Sequence, residues 1–339
     1  MKFEPILEKL LRQEALRKET ALEAFRELFS CRLTEKQAKS LLLLLARKGE
    51  TVEELAGCLN ALREAEPPVK IKMDHLIDTC GSGGDGSCTI NVSTLAAILV
   101  AGAGGKVAKH GNRAISSRAG SSDLMEALGV NLEAGEKKML KALKVCGLAY
   151  FHAPYFHPVF SRFQPLRKAL ATRTIFNLLG PLVNPVTVER QMIGVSRKEH
   201  LGLFAGVLRE RKVKMAFVCH SRDGMDEISG AGITDYVLIK DGRIRSGTLD
   251  VRSFGLRPGC QDDYRGGDAR QNSRIALDLL NGKIQGPIKD LILLNAAAGL
   301  WISGLAKNIP HGLGMAADSL GSGRALQALR HLIQISREK

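Results

Sequence analysis

Four glycines and an aspartate crowd into residues 81–86, the start of the stretch GSGGDGSCTINVST, and Thr89, Asn91, Ser93 and Thr94 follow around Val92. Glycines let successive backbone N–H groups converge on one anion, and polar residues at a helix start add donors where the helix dipole is positive. The chemistry implied is the holding of a polyphosphate. Gly81, Gly83 and Gly86 formally satisfy a dinucleotide GxGxxG, but such a loop runs almost directly into its helix, and here SCTINVST intervenes. The next strand should also end on an acid for the ribose hydroxyls, whereas GGKVAKHGNR ends on Lys109, His110 and Arg113. No GK[ST] follows the glycines, which excludes a Walker A loop. The plainer alternative is a tight turn with an Asn or Ser cap, but the glycine density exceeds what a turn needs.

KHGNRAISSRAGSSDLMEALG supplies a second polar loop about twenty residues further on. Lys109 and the hydroxyls of Ser116, Ser117, Ser121 and Ser122 suit phosphate oxygens there, and Asn112 can position a polar co-substrate. Ser121 or Ser122 is also a suitable cap for the helix before LMEALG. In AFVCHSRDGMDEIS, Asp226 and Glu227 adjoin after a strand-like run. In a loop both can reach a hard cation, and Mg²⁺ uses one or two carboxylates plus substrate phosphates. Arg167 and Arg173 can each clamp a carboxylate in two-point fashion, with ordinary salt bridging as the plainer account. His152 and His157 lack a third ligand and read as structural or substrate-lining.

These residues need elements to position them. Residues 1 to about 66 read as wholly helical, with apolar residues at threes and fours. Capping boxes stand at Thr34/Gln37 and Thr51/Glu54, a stop at Gly49, and a break at Pro67 and Pro68. From about residue 71 the runs HLID, GGKVAKH, LAYFHA, QMIGVS, KMAFVCH and YVLIK read as strands alternating with helices. The fold class expected is α/β, a small all-helical domain plus a larger α/β domain with a mostly parallel central sheet. The helical domain is placed at 1–70, joined by part of 160–185, whose SRFQPLRKALATRTIFNLLGPLVNP is again helical; the α/β domain is placed at 71–339. Ligands should lie outside the carboxyl ends of the parallel strands.

Composition narrows the partners. No apolar stretch reaches the ~18–20 residues that span a bilayer, so no membrane role is expected. Seven cysteines lack ligand spacing, which argues against a zinc site or a disulfide framework and for a reducing cytoplasm. The net charge of +14 raises nucleic acid as a partner, but aromatics are 5% of the chain and the basic residues are interleaved with acids, so nucleic acid is not expected.

With GSGGDG and NVST, KHGNR, GSSDLMEALG, RTIFNLLGPLVNP, DGMDEIS, GGDA and LLNAAAGL in order, nearly the whole chain resembles the anthranilate phosphoribosyltransferases. That family joins anthranilate to phosphoribosyl pyrophosphate (PRPP) in tryptophan biosynthesis, on a fold of the nucleoside phosphorylase/phosphoribosyltransferase type. The resemblance implies that Gly81, Gly84, Asp85, Thr89, Asn91, Val92, Ser93, Thr94, Lys109, His110, Gly111, Asn112, Arg113 and Ser121 bind PRPP. It implies Mg²⁺ on Ser93, Asp226 and Glu227, and anthranilate at Gly81, Asn112 and Arg167. It also implies a helical domain hinged to the α/β domain and a homodimer through the helical part. Three departures stand out: Ser82 for the usual threonine, Ala171 where glycine is common, and Ser122 where alanine is common. A phosphorylase of similar fold is the nearest rival, and the diphosphate-length loop with the acidic pair favours PRPP over it.

Overall fold

The computed structural model describes residues 3–114 and 118–339, so Ser116 and Ser117, read above as phosphate contacts, lie outside the described residues. The described chain divides into two compact units. The first runs through Lys70 and takes in Phe156–Thr187; the second comprises Ile71–Tyr155 and Val188–Lys339.

Helices α1 (Glu4–Leu11), α2 (Lys18–Phe29), α3 (Glu35–Lys48) and α4 (Val52–Ala65) begin the first unit. Both capping boxes are formed, Thr34 with Gln37 and Thr51 with Glu54. The expectation of an uninterrupted first helical stretch needs correction. The chain breaks between α1 and α2, where Gln13 takes a left-handed φ of 59° and the amide of buried Leu16 donates to Glu54 Oε1 at 2.9 Å. Helical periodicity continues across the break, so the sequence pattern alone hides it. Gly57 of α4 lets α2 come close, since a β-carbon there would meet the carbonyl of Lys18 at 2.6 Å. The returning segment adds Phe163 and Phe176, whose rings lie 5.9 and 6.1 Å from that of Phe29. Glu66 fastens this segment by accepting from the amide of Val159 at 2.7 Å and pairing with His157 Nδ1 at 2.8 Å, so His157 is structural.

The second unit carries a seven-stranded sheet of β1 (Leu76–Gly81), β2 (Lys106–Gly111), β3 (Leu148–His152), β4 (Arg190–Gly194), β5 (Met215–Ser221), β6 (Ile233–Lys240) and β7 (Arg243–Asp250). Its order is β3-β2-β1-β4-β5-β6-β7, with β1 to β5 parallel and β6 and β7 antiparallel. Strand β7 was not expected, because RIRSGTLD is largely exposed and lacks an apolar face. The turn Asp241–Gly242, with φ of 49° and 77°, is the Asp-Gly hairpin signal that reveals it.

The chain leaves β1 for α5 (Val92–Gly102), almost entirely buried, which also packs on the helix Pro287–Ser303. Burial of a side chain such as Leu95, Ile98 or Leu99 contributes ~1.5–3 kcal/mol, so α5 is a rigid base for the loop that precedes it. Helices α6 (Ser121–Ala127) and α7 (Gly135–Cys146) follow β2. Strand order reverses direction at β1, between β2 and β4, and the loops after β1, β2 and β5 gather at their carboxyl ends, where such sheets bind ligands. Among the described residues no helix is long and apolar enough to cross a membrane.

Candidate active site

The glycine loop is held from three sides. Gly83, Gly84 and Gly86 take φ of 69°, 73° and 73°, a region that favours glycine. Gly81 answers a different need, because a β-carbon there would collide with Oδ2 of Asp226. Ser82 ties the loop to the end of β4, its amide donating to the Gly194 carbonyl at 2.8 Å and its hydroxyl accepting from the Ser196 amide at 3.0 Å. Further on, Thr89 forms a bridge with Arg265, and the Ile90 amide donates to the Tyr264 carbonyl at 3.0 Å. Asp85 accepts from the hydroxyl of Ser87 within the loop.

Asn91 stands at the start of α5 but does not cap it. Its Nδ2 donates to the Ala119 carbonyl and its Oδ1 accepts from Asn272 Nδ2, each at 3.0 Å. It thus joins the first loop, the second loop and the helix Ala269–Leu280. Beyond it, the first turn of α5 carries half-buried Ser93 and Thr94, which is 1% exposed. Val92 turns inward, and the buried Thr94 hydroxyl has no hydrogen-bond partner among the described residues.

Lys109 lies under this turn, 2% exposed, with Nζ donating to the Thr79 carbonyl at 2.6 Å and to Ser93 Oγ at 3.3 Å. Burial lowers its pKa, and the negative charge of Asp78 opposes that shift. Its charge therefore acts on Ser93 from below. The His110 amide donates to Asp78 Oδ1 at 3.3 Å. Exposed Asn112 accepts from the Arg113 amide through Oδ1 at 2.7 Å. The Arg113 guanidinium is turned to α6, pairing with Asp123 at 3.0 Å and Glu126 at 2.7 Å, and those bonds raise its pKa. The expectation of a serine cap on α6 also needs correction. Gly120 is the cap residue, and Asp123 Oδ2 accepts from the amides of Gly120 and Ala114 at 2.8 and 2.9 Å. Ser121 and Ser122 are left for Tyr150 and His152 of β3.

The acidic pair faces the glycine loop. Asp226 Oδ2 accepts from the Gly83 amide at 2.6 Å, and Glu227 Oε1 accepts from the Ser93 amide at 3.0 Å. They are 8% and 7% exposed. Burial first, with Asp85 next for Asp226 and Asp226 next for Glu227, pushes their pKa values up to about 7 and about 8. Two carboxylates and the Ser93 hydroxyl are hard oxygen donors, and a divalent cation would offset both the burial of charge and the repulsion that raise those pKa values. The donor set fits Mg²⁺, which completes its shell with phosphate oxygens and water. Among the described residues no group of three or more His, Cys, Asp or Glu side chains is spaced to hold an ion alone.

Asn295 keeps this acidic loop in place and escaped sequence reasoning. It accepts from the Ile228 amide at 3.1 Å and donates to the Ile228 carbonyl at 2.9 Å. A single polar residue inside LILLNAAAGL was the available signal, since a buried amide must find partners. Asp78, buried in β1, was missed likewise; its carboxylate accepts from Gln191 Nε2 at 3.4 Å.

Arg167 belongs to the first unit, on the helix Gln164–Leu170. It is half-buried, burial lowers its pKa, and it has no ion-pair partner among the described residues, so ordinary salt bridging does not explain it. The helix ends at Ala171 with φ 49° and ψ 24°. That left-handed conformation is a physical reason for glycine to be common there.

Comparison with known proteins agrees with this architecture. Residues 4–65 match the model of a glycosyl transferase family helical bundle domain, and residues 73–326 that of the α/β domain of the same family. The anthranilate phosphoribosyltransferase of Exiguobacterium sibiricum is 40% identical over 334 residues, 98% of each chain. The crystal structure of the Thermus thermophilus enzyme of that name superposes with a TM-score of 0.91 at 36% identity, covering 98% of this chain and 99% of that one. The Saccharomyces cerevisiae enzyme in complex with PRPP and Mg gives 0.90 at 28% identity, covering 98% and 97%. The same yeast enzyme has also been solved in complex with 4-fluoroanthranilate. In sequence, domain composition and fold, then, the chain belongs to the anthranilate phosphoribosyltransferase family.

Proposed function

We propose that this protein transfers the phosphoribosyl group of PRPP to the amine of anthranilate, giving N-(5-phosphoribosyl)anthranilate and pyrophosphate, a step of tryptophan biosynthesis. The observation that carries this reading is the closure of the acidic pair on the phosphate loop, Asp226 on the Gly83 amide and Glu227 on the Ser93 amide. A phosphate cradle backed by two carboxylates suits a metal-complexed diphosphate better than a single phosphate.

In this reading Gly81 to Asp85 receive the ribose-pyrophosphate end, while Asn91 to Thr94 meet the leaving group. Thr89, the stretch His110 to Asn112 and Ser121 complete the PRPP contacts, Lys109 acts through Ser93, and Arg113 holds α6 in place behind them. Asp226, Glu227 and Ser93 would hold Mg²⁺, which when bound neutralises charge growing on departing pyrophosphate. The bond from the anomeric carbon to pyrophosphate oxygen breaks and a bond to the anthranilate nitrogen forms, with inversion and an oxocarbenium-like ribosyl group between. Aromatic amines are largely unprotonated at neutral pH, so the nitrogen sheds its proton to solvent and no general base is assigned.

Loop amides, the α5 amino terminus and Lys109 perform electrostatic work that grows as charge develops on the leaving group. Arg167 takes the anthranilate carboxylate, and Asn112 with Gly81 contacts its ring and amine, which is positional work. Assembly as a homodimer through the helical unit and residence in the cytoplasm, where seven free thiols are stable, belong to the same proposal.

Steady-state kinetics of Arg167→Ala test the division of labour. The expected result is a rise of ~10²-fold in KM for anthranilate with KM for PRPP within about twofold, the loss of a bidentate charged contact. Equal losses for both substrates contradict it.

A further inference from the structure

Tyr150 and His152 lie two residues apart on β3, opposite Lys109 and Gly111 of β2. Strand alternation therefore places both side chains on one face of the sheet. On that face α6 begins with Ser121 and Ser122. The Tyr150 hydroxyl lies 2.9 Å from Ser121 Oγ and 2.8 Å from Ser122 Oγ, and Ser122 Oγ lies 2.8 Å from Nδ1 of His152. Tyr150 is 1% exposed, Ser122 0% and His152 7%. A β-carbon on Gly111 would collide with Ser121 Oγ and the Tyr150 hydroxyl, so glycine at that position is what lets the groups meet. The result is one unbranched chain, His152–Ser122–Tyr150–Ser121, ending at the loop that follows β2.

A hydroxyl has one proton and two acceptor lone pairs, so two conditions fix every bond of this chain: a bare Nδ1 makes all of them run toward His152, and a Ser121 proton given to an outside acceptor makes all of them run away from it. If Nδ1 carries hydrogen, it donates to Ser122, and Ser122 can then donate to Tyr150 and Tyr150 to Ser121, which leaves Ser121 its proton for an outside acceptor. Among the described residues its acceptor is then the Asn112 carbonyl at 3.4 Å, long for an O–H···O bond. If Nδ1 is bare, every bond reverses. The Ser121 proton is then used on Tyr150, and Ser121 offers the loop only lone pairs. A phosphate oxygen has no use for those.

We propose that His152 is a positioning residue: through Ser122 and Tyr150 its Nδ1–H form frees Ser121 to be a hydrogen-bond donor to a phosphate oxygen of the substrate, and that form is held while substrate is bound. This rests on the reading of Ser121 as a PRPP contact. Burial and the charge of Arg113 lower the pKa of His152 against the opposing pull of Glu126, Glu133 and Asp123, so the ring is neutral near pH 7 and its tautomer can respond. Burial pushes the Tyr150 phenol up, which keeps its proton in place. Nε2 of His152 has no hydrogen-bond partner among the described residues, so no second bond locks either tautomer. The coupling is reciprocal: whatever favours Nδ1–H tightens phosphate at Ser121, and phosphate at Ser121 favours Nδ1–H.

NMR of the His152 ring nitrogens tests this, in the full-length protein titrated with PRPP and Mg²⁺ without anthranilate. The expected result is a protonated Nδ1 in the complex. Ser122→Ala and Tyr150→Phe each sever the chain, and each should abolish the PRPP-induced change at His152 and weaken PRPP roughly three- to tenfold, the worth of one hydrogen bond. PRPP binding with Nδ1 bare, or with the same His152 response in either severed variant, overturns the proposal. Failure of PRPP to shift any amide of residues 81–94 instead overturns the PRPP reading itself, and this inference with it.

Discussion

The Asp226 carboxylate accepts a hydrogen bond from the Gly83 amide at 2.6 Å. Its Oδ2 also occupies the space a β-carbon on Gly81 would take, so the acidic loop sits directly against the glycine loop. Gly81→Ala should displace Asp226 without straining the backbone, since Gly81 is not among the residues of positive φ. The expected outcome is a fall of ~10²-fold in kcat/KM, the scale set by small misplacements of positioning groups. It should come with a higher Mg²⁺ concentration at half-activity, read from metal titrations of the purified variant.

Ionisation of the acidic pair should oppose folding when no cation is bound. The pKa values of Asp226 and Glu227 are raised to about 7 and about 8, mainly by burial. The unfolded chain ionises such groups near ~4. Their contribution to stability is therefore complete below ~pH 4 and is lost as pH rises through about 7 and 8. Thermal melts in chelator should show a midpoint that falls across that window. The double variant Asp226→Asn/Glu227→Gln should flatten the fall, and Mg²⁺ with PRPP should oppose it in the native protein, with affinity increasing as the pair deprotonates.

Asn295 supports the same loop from the helix Pro287–Ser303. Asn295→Leu keeps the volume but strips the Ile228 amide and carbonyl of their partner. The cost should be about 2–4 kcal/mol in urea unfolding, the penalty for leaving two buried backbone groups unpaired. Mg²⁺ dependence should shift to higher concentration as well, because Ile228 adjoins Glu227.

Ala171→Gly should stabilise the helical unit. Relief of a left-handed alanine is worth ~1–2 kcal/mol, and the added entropy of glycine in the unfolded chain removes ~0.5–1 kcal/mol. The net gain expected is up to about 1.5 kcal/mol, measurable by chemical denaturation. Because Ala171 ends the helix that carries Arg167, KM for anthranilate should fall or hold while KM for PRPP is unchanged.

Local signals carried far in this chain, and they failed where partners came from distant residues. Thr34, Thr51 and the glycines of 81–86 announce caps and a loop through their own backbone chemistry, and the structure places them as their types require. The break at Gln13 was hidden because it depends on Glu54, almost forty residues away, accepting from Leu16. Strand β7 was hidden because its face is solvent and its pairing comes from β6. In the candidate site, residue type and strand order point to Asp226 and Glu227, which follow β5, and to Lys109, which lies within β2. That Asn91 is a brace between loops, that Arg113 turns to α6, and that Ser122 joins Tyr150 to His152 are tertiary facts no spacing encodes.

The most direct measurement follows anthranilate fluorescence after mixing the wild-type protein with PRPP, anthranilate and Mg²⁺. Phosphoribosyl transfer predicts loss of that fluorescence at a rate proportional to enzyme, with one pyrophosphate released per anthranilate consumed. Unchanged fluorescence at high enzyme concentration, or pyrophosphate release that ignores anthranilate, contradicts the account.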